Sequence, residues 1–222
     1  MLNFPRKERA FMENFVITIE RYCASGGSAV GKMLSEKLDI PLYDSNLFKL
    51  ASSDSGINEQ IFEMADENLK NSLFFRVSRS AFDGTPINSE SGNYTADRNL
   101  FNYQSKVIKG LADTSSCIII GRCAGYVLRD RYNVLRVFIS AGKESCIENE
   151  SKRSHITYSE AKQKVEETHR RRADYCRFYT EQQWSDPGAY DLCLNTDVYT
   201  YDQCIDMIMK ALEIKLGENF KK

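Results

Sequence analysis

The stretch "CASGGSAVGKM", residues 23–33, concentrates residue types that bind phosphate through backbone amides. Read literally, Gly26, four residues, Gly31 and Lys32 have the spacing of a phosphate-binding loop. Met33 then stands where a Ser or Thr hydroxyl would contact magnesium. The stretch therefore indicates a nucleotide-phosphate site, but its register has to be chosen.

The neighbouring elements favour a second register. The β-branched run "FVITIE" (15–20) predicts a buried strand, so the loop should begin directly after it, as "RYCASGGS". Apolar residues recur at helical spacing between residues 30 and 38, which places Lys32 well inside a helix and away from the phosphates. In this register Gly27 takes the lysine position and Ser28 the Ser/Thr position.

In the preferred register, backbone amides and a helix N-terminus supply the phosphate site. The predicted cradle consists of Ala24, Ser25, Gly26, Gly27 and Ser28. The Ser28 hydroxyl has two interpretations, a magnesium ligand or an N-cap of the helix. The alternative for the whole stretch is a plain strand-to-helix turn. Because the loop lysine is absent, another cation has to reach the β- and γ-phosphates.

A run of guanidinium groups is the best source of that charge. The segment "HRRRADYCR" (169–177) contains the four candidate catalytic residues Arg170, Arg171, Arg172 and Arg177. Phosphoryl transfer depends on placement and positive charge, which such groups provide. The alternative interpretation is a solvated helix face.

Two further candidates follow predicted strands. Arg122 comes directly after the apolar run 117–120, where the carboxyl ends of parallel strands form a ligand crevice. The planar guanidinium of Arg122 suits a phosphate. The alternative interpretation is a salt bridge on the rim of the sheet. Asp44 follows a second short strand and is either an acceptor-binding residue or the N-cap of a helix from Ser45. No Asp or Glu follows the strand 117–120 to support a magnesium ion. Glu20, at the end of the first strand, is a possible substitute for that acidic residue.

The elements that must position these groups alternate between strands and helices, as in an α/β protein with a parallel sheet covered on both faces. The predicted strands are 15–20, 41–43, 117–121, 133–141 and 190–196. Helices are predicted from 45, over 58–82, 99–113 and 200–216, and over 143–184 with an interruption near His155–Thr157. The turn-forming stretch 83–97 predicts a loop.

Composition limits the function classes. The 222 residues carry a net charge of −1, so no general attraction to nucleic acid or membranes follows. The first fifteen residues carry charges and have no apolar core of signal-peptide length, and no apolar run approaches membrane-spanning length, so we expect neither a signal peptide nor a membrane helix. Seven scattered cysteines without a C-x-x-C pair fit free thiols in a reducing cytoplasm, and the presence of only two histidines disfavours a histidine metal site.

Several motifs occur in the order typical of one family. They are "IERYCASGGSAVGKMLSEKLDIPLYD" (19–44), "IIIGRCAGYVL" (118–128), "NVLRVFISA" (133–141) and "YDLCLNT" (190–196). The chain resembles the cytidylate kinase-like family, a nucleoside monophosphate kinase branch of the P-loop kinases, over residues 15–214. It departs from the family pattern at Ala24, at Ser28, and at Gly125 in place of an aspartate.

The resemblance implies a three-layer α/β/α P-loop kinase fold in a single domain over 1–222. It implies an acceptor-side segment at 45–113 and a helical lid region at 143–184 whose arginines close over the donor. It implies transfer of the ATP γ-phosphate, with Mg²⁺, to a nucleoside monophosphate or similar phosphorylated acceptor, with Arg122 on the monophosphate and Asp44 at the acceptor site. A nucleotide-binding protein without transfer activity, and an interaction protein, are the alternatives; helix 99–113 is a possible homo-oligomer interface.

Overall fold

Apolar, β-branched segments form five strands of one parallel sheet in a computed structural model that describes residues 14–44, 47 and 96–217. The strands are β1 Val16–Arg21, β2 Leu42–Tyr43, β3 Cys117–Ile120, β4 Val134–Ser140 and β5 Leu192–Asn195. Their order is β2-β3-β1-β4-β5, and every pair is parallel. The predicted parallel sheet is confirmed, with strand ends shifted by one or two residues.

Helices cover both faces of this sheet. Numbered along the described chain, they are α1 Gly27–Leu38, α2 Ala96–Thr114, α3 Ala124–Val127, α4 Lys143–Ser154, α5 Tyr158–Thr180 and α6 Tyr201–Leu216. A 3-10 turn, Pro187–Ala189, precedes β5. The predicted segment 58–82 and most of the predicted loop 83–97 lie outside the described residues, although positions 96 and 97 belong to α2.

The side-chain alternation of β1 divides the core into two layers. Val16 packs with α2, α3 and α5 on one face, and Ile17 and Ile19 pack with α1 and α6 on the other. All three side chains are fully buried. The α/β fold with three layers is therefore confirmed, and β1 delivers Glu20 and Arg21 to opposite faces at the carboxyl edge of the sheet.

The predicted long helical region forms a helical hairpin, α4 and α5. The chain reverses at His155, which adopts a left-handed conformation, and Thr157 begins α5 with a capping box to Glu160. Glu150 has no exposed side-chain area, and its carboxylate contacts Lys164 at 2.6 Å and Ser154 at 2.7 Å. Burial raises the pKa of Glu150, but these partners outweigh it and lower the pKa, so the carboxylate holds the two helices together.

The hairpin packs directly against the loop after β1. A buried apolar cluster joins the two, formed by Cys23, Ala141, Cys146, Ile147, Ala161 and Val165. Tyr22 and Ala24 border this cluster. The conformation of the loop is thereby tied to the position of the hairpin. None of the described helices is long and apolar enough to cross a membrane.

Asp191 fixes the start of β5 to its neighbours. Its carboxylate accepts hydrogen bonds from the Arg136 side chain at 2.9 Å and from Lys215 at 2.7 Å, and one from the Arg136 backbone at 2.8 Å. Burial acts to raise the Asp191 pKa, but these bonds outweigh it and lower the pKa to about 2. The ionised carboxylate therefore stabilises the folded chain.

We predict that Asp191→Asn lowers the free energy of unfolding by about 2 kcal/mol at pH 7. The folded-state pKa lies below the unfolded value, so the contribution is complete above pH 4 and disappears as the pH falls toward 2. Urea unfolding at several pH values measures the difference. Asp206→Asn is the matched control, because Asp206 is 72% exposed in its pair with Lys37 and its loss should change little.

Candidate functional site

The loop between β1 and α1 adopts the second register. Helix α1 begins at Gly27, with Gly26 as its N-cap in a left-handed conformation (φ 82°). The prediction that the helix begins within residues 26–28 is confirmed. Lys32 lies more than a turn inside the helix and is exposed, so the literal motif is wrong.

Most loop amides remain available to a ligand. Within the described chain, the N–H groups of Ala24, Gly26, Gly27 and Ser28 have no protein acceptor. The Ser25 amide makes a long bond of 3.4 Å to a carbonyl. These are the amides that the sequence assigned to a phosphate cradle, and they cluster at the positive end of α1.

The two loop serines have different environments. Ser25 is buried, and its hydroxyl lies 3.0 Å from the Tyr22 carbonyl and 2.9 Å from the Ile139 carbonyl, so the side chain holds the loop to β4. Ser28 is exposed and does not cap α1, because Gly26 is the N-cap without a side-chain bond. The capping interpretation of Ser28 is wrong, and the residue lies exposed in the first turn of α1.

The loop backbone is fixed from three sides. The Asn149 side chain donates to the Ala24 carbonyl at 3.2 Å, and Thr196 Oγ1 donates to the Ser25 carbonyl at 2.9 Å. The Tyr201 ring packs so closely on Gly26 that any Cβ there would overlap it. Ala24 is itself left-handed (φ 55°), a conformation that costs a non-glycine residue roughly 1 kcal/mol.

Arg21 occupies the space of the missing lysine. A Cβ added at Gly27 would lie 2.5 Å from the Arg21 Cβ, so no side chain fits at this position. The Arg21 guanidinium continues past Gly121 to Asp44, at 3.4 Å from its carboxylate. Sequence reasoning missed Arg21, although the period-two pattern of β1 places it on the face that α1 covers.

Asp44 contacts the site through this ion pair. Its side chain is 37% exposed, and its carbonyl accepts from the Leu47 amide at 3.2 Å, as at a turn. A helix N-cap at Asp44 would involve positions outside the described residues.

A cavity of about 100 Å³ opens at the carboxyl ends of β1 and β3. It is lined by Glu20, Arg21, Arg122, Cys123, Arg171, Arg172, Tyr175 and Trp184. Four guanidinium groups thus face one carboxylate, and the excess of positive charge favours an anion. The sequence candidates Arg122, Arg171 and Arg172 meet here, as expected for residues at a sheet edge and on a covering helix.

The four arginines of α5 divide between two environments. Arg170 and Arg177 are exposed and do not line the cavity, whereas Arg171 and Arg172 do. Arg172 donates to the Arg21 carbonyl at 2.7 Å. Burial, with the nearby charge of Arg21, lowers the Arg172 pKa to about 10, so it remains protonated at neutral pH.

Glu20 shapes the cavity from below. Its Oε1 accepts from the Cys123 amide at 3.2 Å, and its Oε2 accepts from Trp184 Nε1 at 3.1 Å. The carboxylate therefore fixes the turn that carries Arg122. It also fixes the indole of Trp184, which lines the cavity. In the described part of the chain, no group of three or more His, Cys, Asp or Glu side chains is placed to hold a metal ion.

His169 connects α5 to the phosphate loop. Its Nε2 accepts the Cys23 amide at 2.9 Å, and its ring packs on Tyr22 with centroids 4.7 Å apart. Burial, and then the charges of Arg172 and Lys143, lower the His169 pKa to about 4. The neutral imidazole is thus the acceptor at neutral pH. Sequence reasoning considered this histidine only as a possible metal ligand.

Comparison with known proteins agrees with this geometry. A sequence model of the cytidylate kinase-like family matches residues 16–198. Among solved structures, an uncharacterized protein from Eubacterium ventriosum ATCC 27560 is 25% identical with a TM-score of 0.64, over 90% of this chain and 99% of that chain. No curated protein matches the chain.

Two further solved structures are more distant. A shikimate kinase from Aquifex aeolicus vf5 is 20% identical with a TM-score of 0.43, over 89% of this chain and 96% of that chain. A gluconokinase from Sinorhizobium meliloti 1021 is 14% identical with a TM-score of 0.49, over 93% of this chain and 97% of that chain.

We predict that His169 makes stability depend on pH between 6.5 and 4. Its folded-state pKa lies below the unfolded value of 6.5, so its contribution is complete above pH 6.5 and is lost as the pH falls toward 4. The free energy of unfolding should fall by about 3 kcal/mol over this pH range. His169→Gln should remove this slope, and His155→Gln, which changes the other histidine, should retain it; unfolding midpoints in urea measure both.

We also predict that Gly27→Ala destabilises the fold by about 1–3 kcal/mol, because the new Cβ would displace the base of Arg21. Gly27→Lys, which introduces the usual loop residue, should destabilise the fold at least as much as Gly27→Ala. Gly110→Ala is the matched control, since nothing lies within 4 Å of a Cβ in that helix and alanine should stabilise by about 0.5–1 kcal/mol. A tolerated Gly27→Lys would contradict the packing of Arg21.

Proposed function

The chain belongs to the cytidylate kinase-like family, and we propose that it is a phosphotransferase that moves the γ-phosphate of ATP, with Mg²⁺, to a nucleoside monophosphate or similar small phosphorylated acceptor. The family and the α/β fold support a phosphotransferase of the kinase type. The donor, the metal and the acceptor are inferences from the site.

The observation that carries the proposal is the contact between an open amide loop and an arginine-lined cavity. The amides at 26–28 offer a place for the donor phosphates at the N-terminus of α1. Arg122 and Arg171 line the adjacent cavity. An acceptor phosphate held there would face the donor.

Arg21 and Arg172 lie where the two sites meet. Arg21 packs against Gly27 of the loop and also lines the cavity, and Arg172 is bonded to the Arg21 carbonyl. Charge that spreads over the transferred group during phosphoryl transfer is stabilised by fixed cations. These two guanidiniums therefore supply the charge that a loop lysine supplies in other phosphate loops.

Magnesium would depend mainly on the nucleotide. Mg²⁺ prefers an octahedron of oxygen ligands and keeps several waters, with substrate phosphates as common ligands. The exposed hydroxyl of Ser28 fits the role of a single protein ligand.

A nucleotide-binding protein without transfer activity is the second candidate. It is favoured by Gly27 at the lysine position and by the ion pair that holds Arg21 on Asp44. The two candidates predict the same ligand binding but different turnover.

We predict that Arg171→Ala lowers kcat/KM by about 100-fold, because it removes one fixed cation from the cavity. Arg170→Ala is the matched control, since Arg170 is the neighbouring residue of the same helix but is exposed and outside the cavity. The kcat/KM of Arg170→Ala should remain within about threefold of the wild-type value. A coupled assay with ATP and CMP, dCMP, UMP or AMP measures turnover.

The sole tryptophan provides an independent readout. Trp184 lines the cavity, so its fluorescence should change as inorganic phosphate binds, and Arg171→Ala should weaken that binding. Binding of ATP and phosphate without turnover on any acceptor would support the second candidate. Equal activity of the two arginine variants would contradict the assignment of the cavity.

A further inference from the structure

Glu20 is the acidic side chain of the cavity at the carboxyl ends of β1 and β3, and it does not pair with the arginines there. Its Oε1 accepts the Cys123 amide at 3.2 Å, and its Oε2 accepts Trp184 Nε1 at 3.1 Å. Within the described residues, neither oxygen makes an ion pair with a guanidinium group. The carboxylate therefore does not neutralise the four guanidinium groups by direct contact.

The Glu20 carboxylate retains the capacity to accept further hydrogen bonds. Both of its oxygens accept N–H groups, as an ionised carboxylate does, and the two bonds use one lone-pair position on each oxygen. An ionised carboxylate has about four such positions. Both donor residues, Cys123 and Trp184, line the same cavity as Glu20, so the carboxylate lies in the cavity wall between them. A group bound in the cavity would meet this acceptor as well as the guanidinium donors.

This combination of groups distinguishes oxyanions by the hydrogen that they carry. Guanidinium groups attract any oxyanion. An anion oxygen without a hydrogen is repelled by the lone pairs of Glu20, whereas a P–O–H group donates a hydrogen bond to them. At neutral pH, inorganic phosphate and arsenate retain such a hydrogen, and sulfate and selenate do not. A site built to accept a hydrogen bond rejects an analogue that lacks the donor.

We propose that Glu20 is a specificity-determining residue that accepts a hydrogen bond from a bound oxyanion, so that the cavity admits a phosphoryl group with a P–O–H and excludes fully ionised oxyanions such as sulfate. This inference rests on the proposed function, because it names the class of acceptor that the same cavity takes. A phosphomonoester supplies the hydrogen in its monoanionic form, since its second pKa is about 6. A carboxylate or a sulfate ester is ionised at neutral pH, lacks such a hydrogen and is rejected.

A role of Glu20 in positioning alone predicts a different pattern of binding. Through its two hydrogen bonds, the carboxylate also supports the turn that carries Arg122 and the indole of Trp184. Loss of that support would weaken the binding of every anion in the same proportion. The ratio of the affinities for two anions therefore separates selection by Glu20 from positioning by Glu20.

Fluorescence of Trp184 measures this selection, because the sole tryptophan lines the cavity. Titration of the full chain at neutral pH and constant ionic strength should give at least about tenfold higher affinity for phosphate than for sulfate, and for arsenate than for selenate. Arsenate and selenate are both larger than phosphate and sulfate, so the same preference in both pairs assigns it to the hydrogen. Equal affinities within either pair would overturn the proposal.

Two variants assign the preference to Glu20. Glu20→Gln removes the charge and offers an amide N–H, so sulfate should bind at least about tenfold more tightly than to the wild type, and the phosphate and sulfate affinities should come within about threefold. Arg171→Ala is the matched control, because it removes a cation from the same cavity; it should weaken the binding of both anions and keep their ratio. A tenfold preference for phosphate retained in Glu20→Gln would overturn the proposal. The wild-type titrations decide the selectivity even if Glu20→Gln does not fold.

Failure of the proposed function gives a different result. If none of the four anions changes the fluorescence of the wild type, the cavity is not a phosphate site, and the proposed function and this inference are both contradicted. If all four anions bind with equal affinity, the cavity remains an anion site and the role of Glu20 in selection alone is contradicted.

Discussion

The contact between α5 and the phosphate loop is the constraint on which the rest of the site depends. His169 accepts the Cys23 amide, and Arg172 donates to the Arg21 carbonyl, so one helix holds two successive parts of the loop. Both bonds are made by side chains whose ionisation is shifted by burial. The same helix presents Arg171 to the cavity. Loop geometry and cavity charge are therefore set together, by one element.

Positive charge at the site is balanced by few acidic groups. Glu20 lies at the base of the cavity, and Asp44 pairs with the guanidinium of Arg21. Burial and, after it, the like charge of Arg21 lower the pKa of Arg172. An anionic ligand relieves the repulsion between these guanidinium groups. The repulsion lowers the stability of the folded chain and raises the affinity of the site for an anion.

The sequence alone predicted most of the architecture, because parallel strands buried on both faces are continuous apolar runs and amphipathic helices have a clear period. It also predicted the start of α1, since the apolar stripe excluded Lys32 from the loop. It did not predict which arginines face inward, because a run of charges on one helix lacks an apolar partner to fix its orientation. His169 and Arg21 were missed for a related reason. Their roles come from contacts across more than 100 residues for His169 and from a glycine that leaves room for Arg21.

The buried carboxylate of Glu150 has a consequence for the movement of the helical hairpin. Its ion pair with Lys164 joins α4 to α5, and both helices also contribute to the apolar cluster beside the loop, so we expect the two helices to move together. Because the hairpin also grips the loop through His169, it cannot lift without releasing the Cys23 amide. Movement of the hairpin and loosening of the loop would then be one event with one barrier. Under the proposed function, release of the donor nucleotide would depend on the hairpin as well as on the loop.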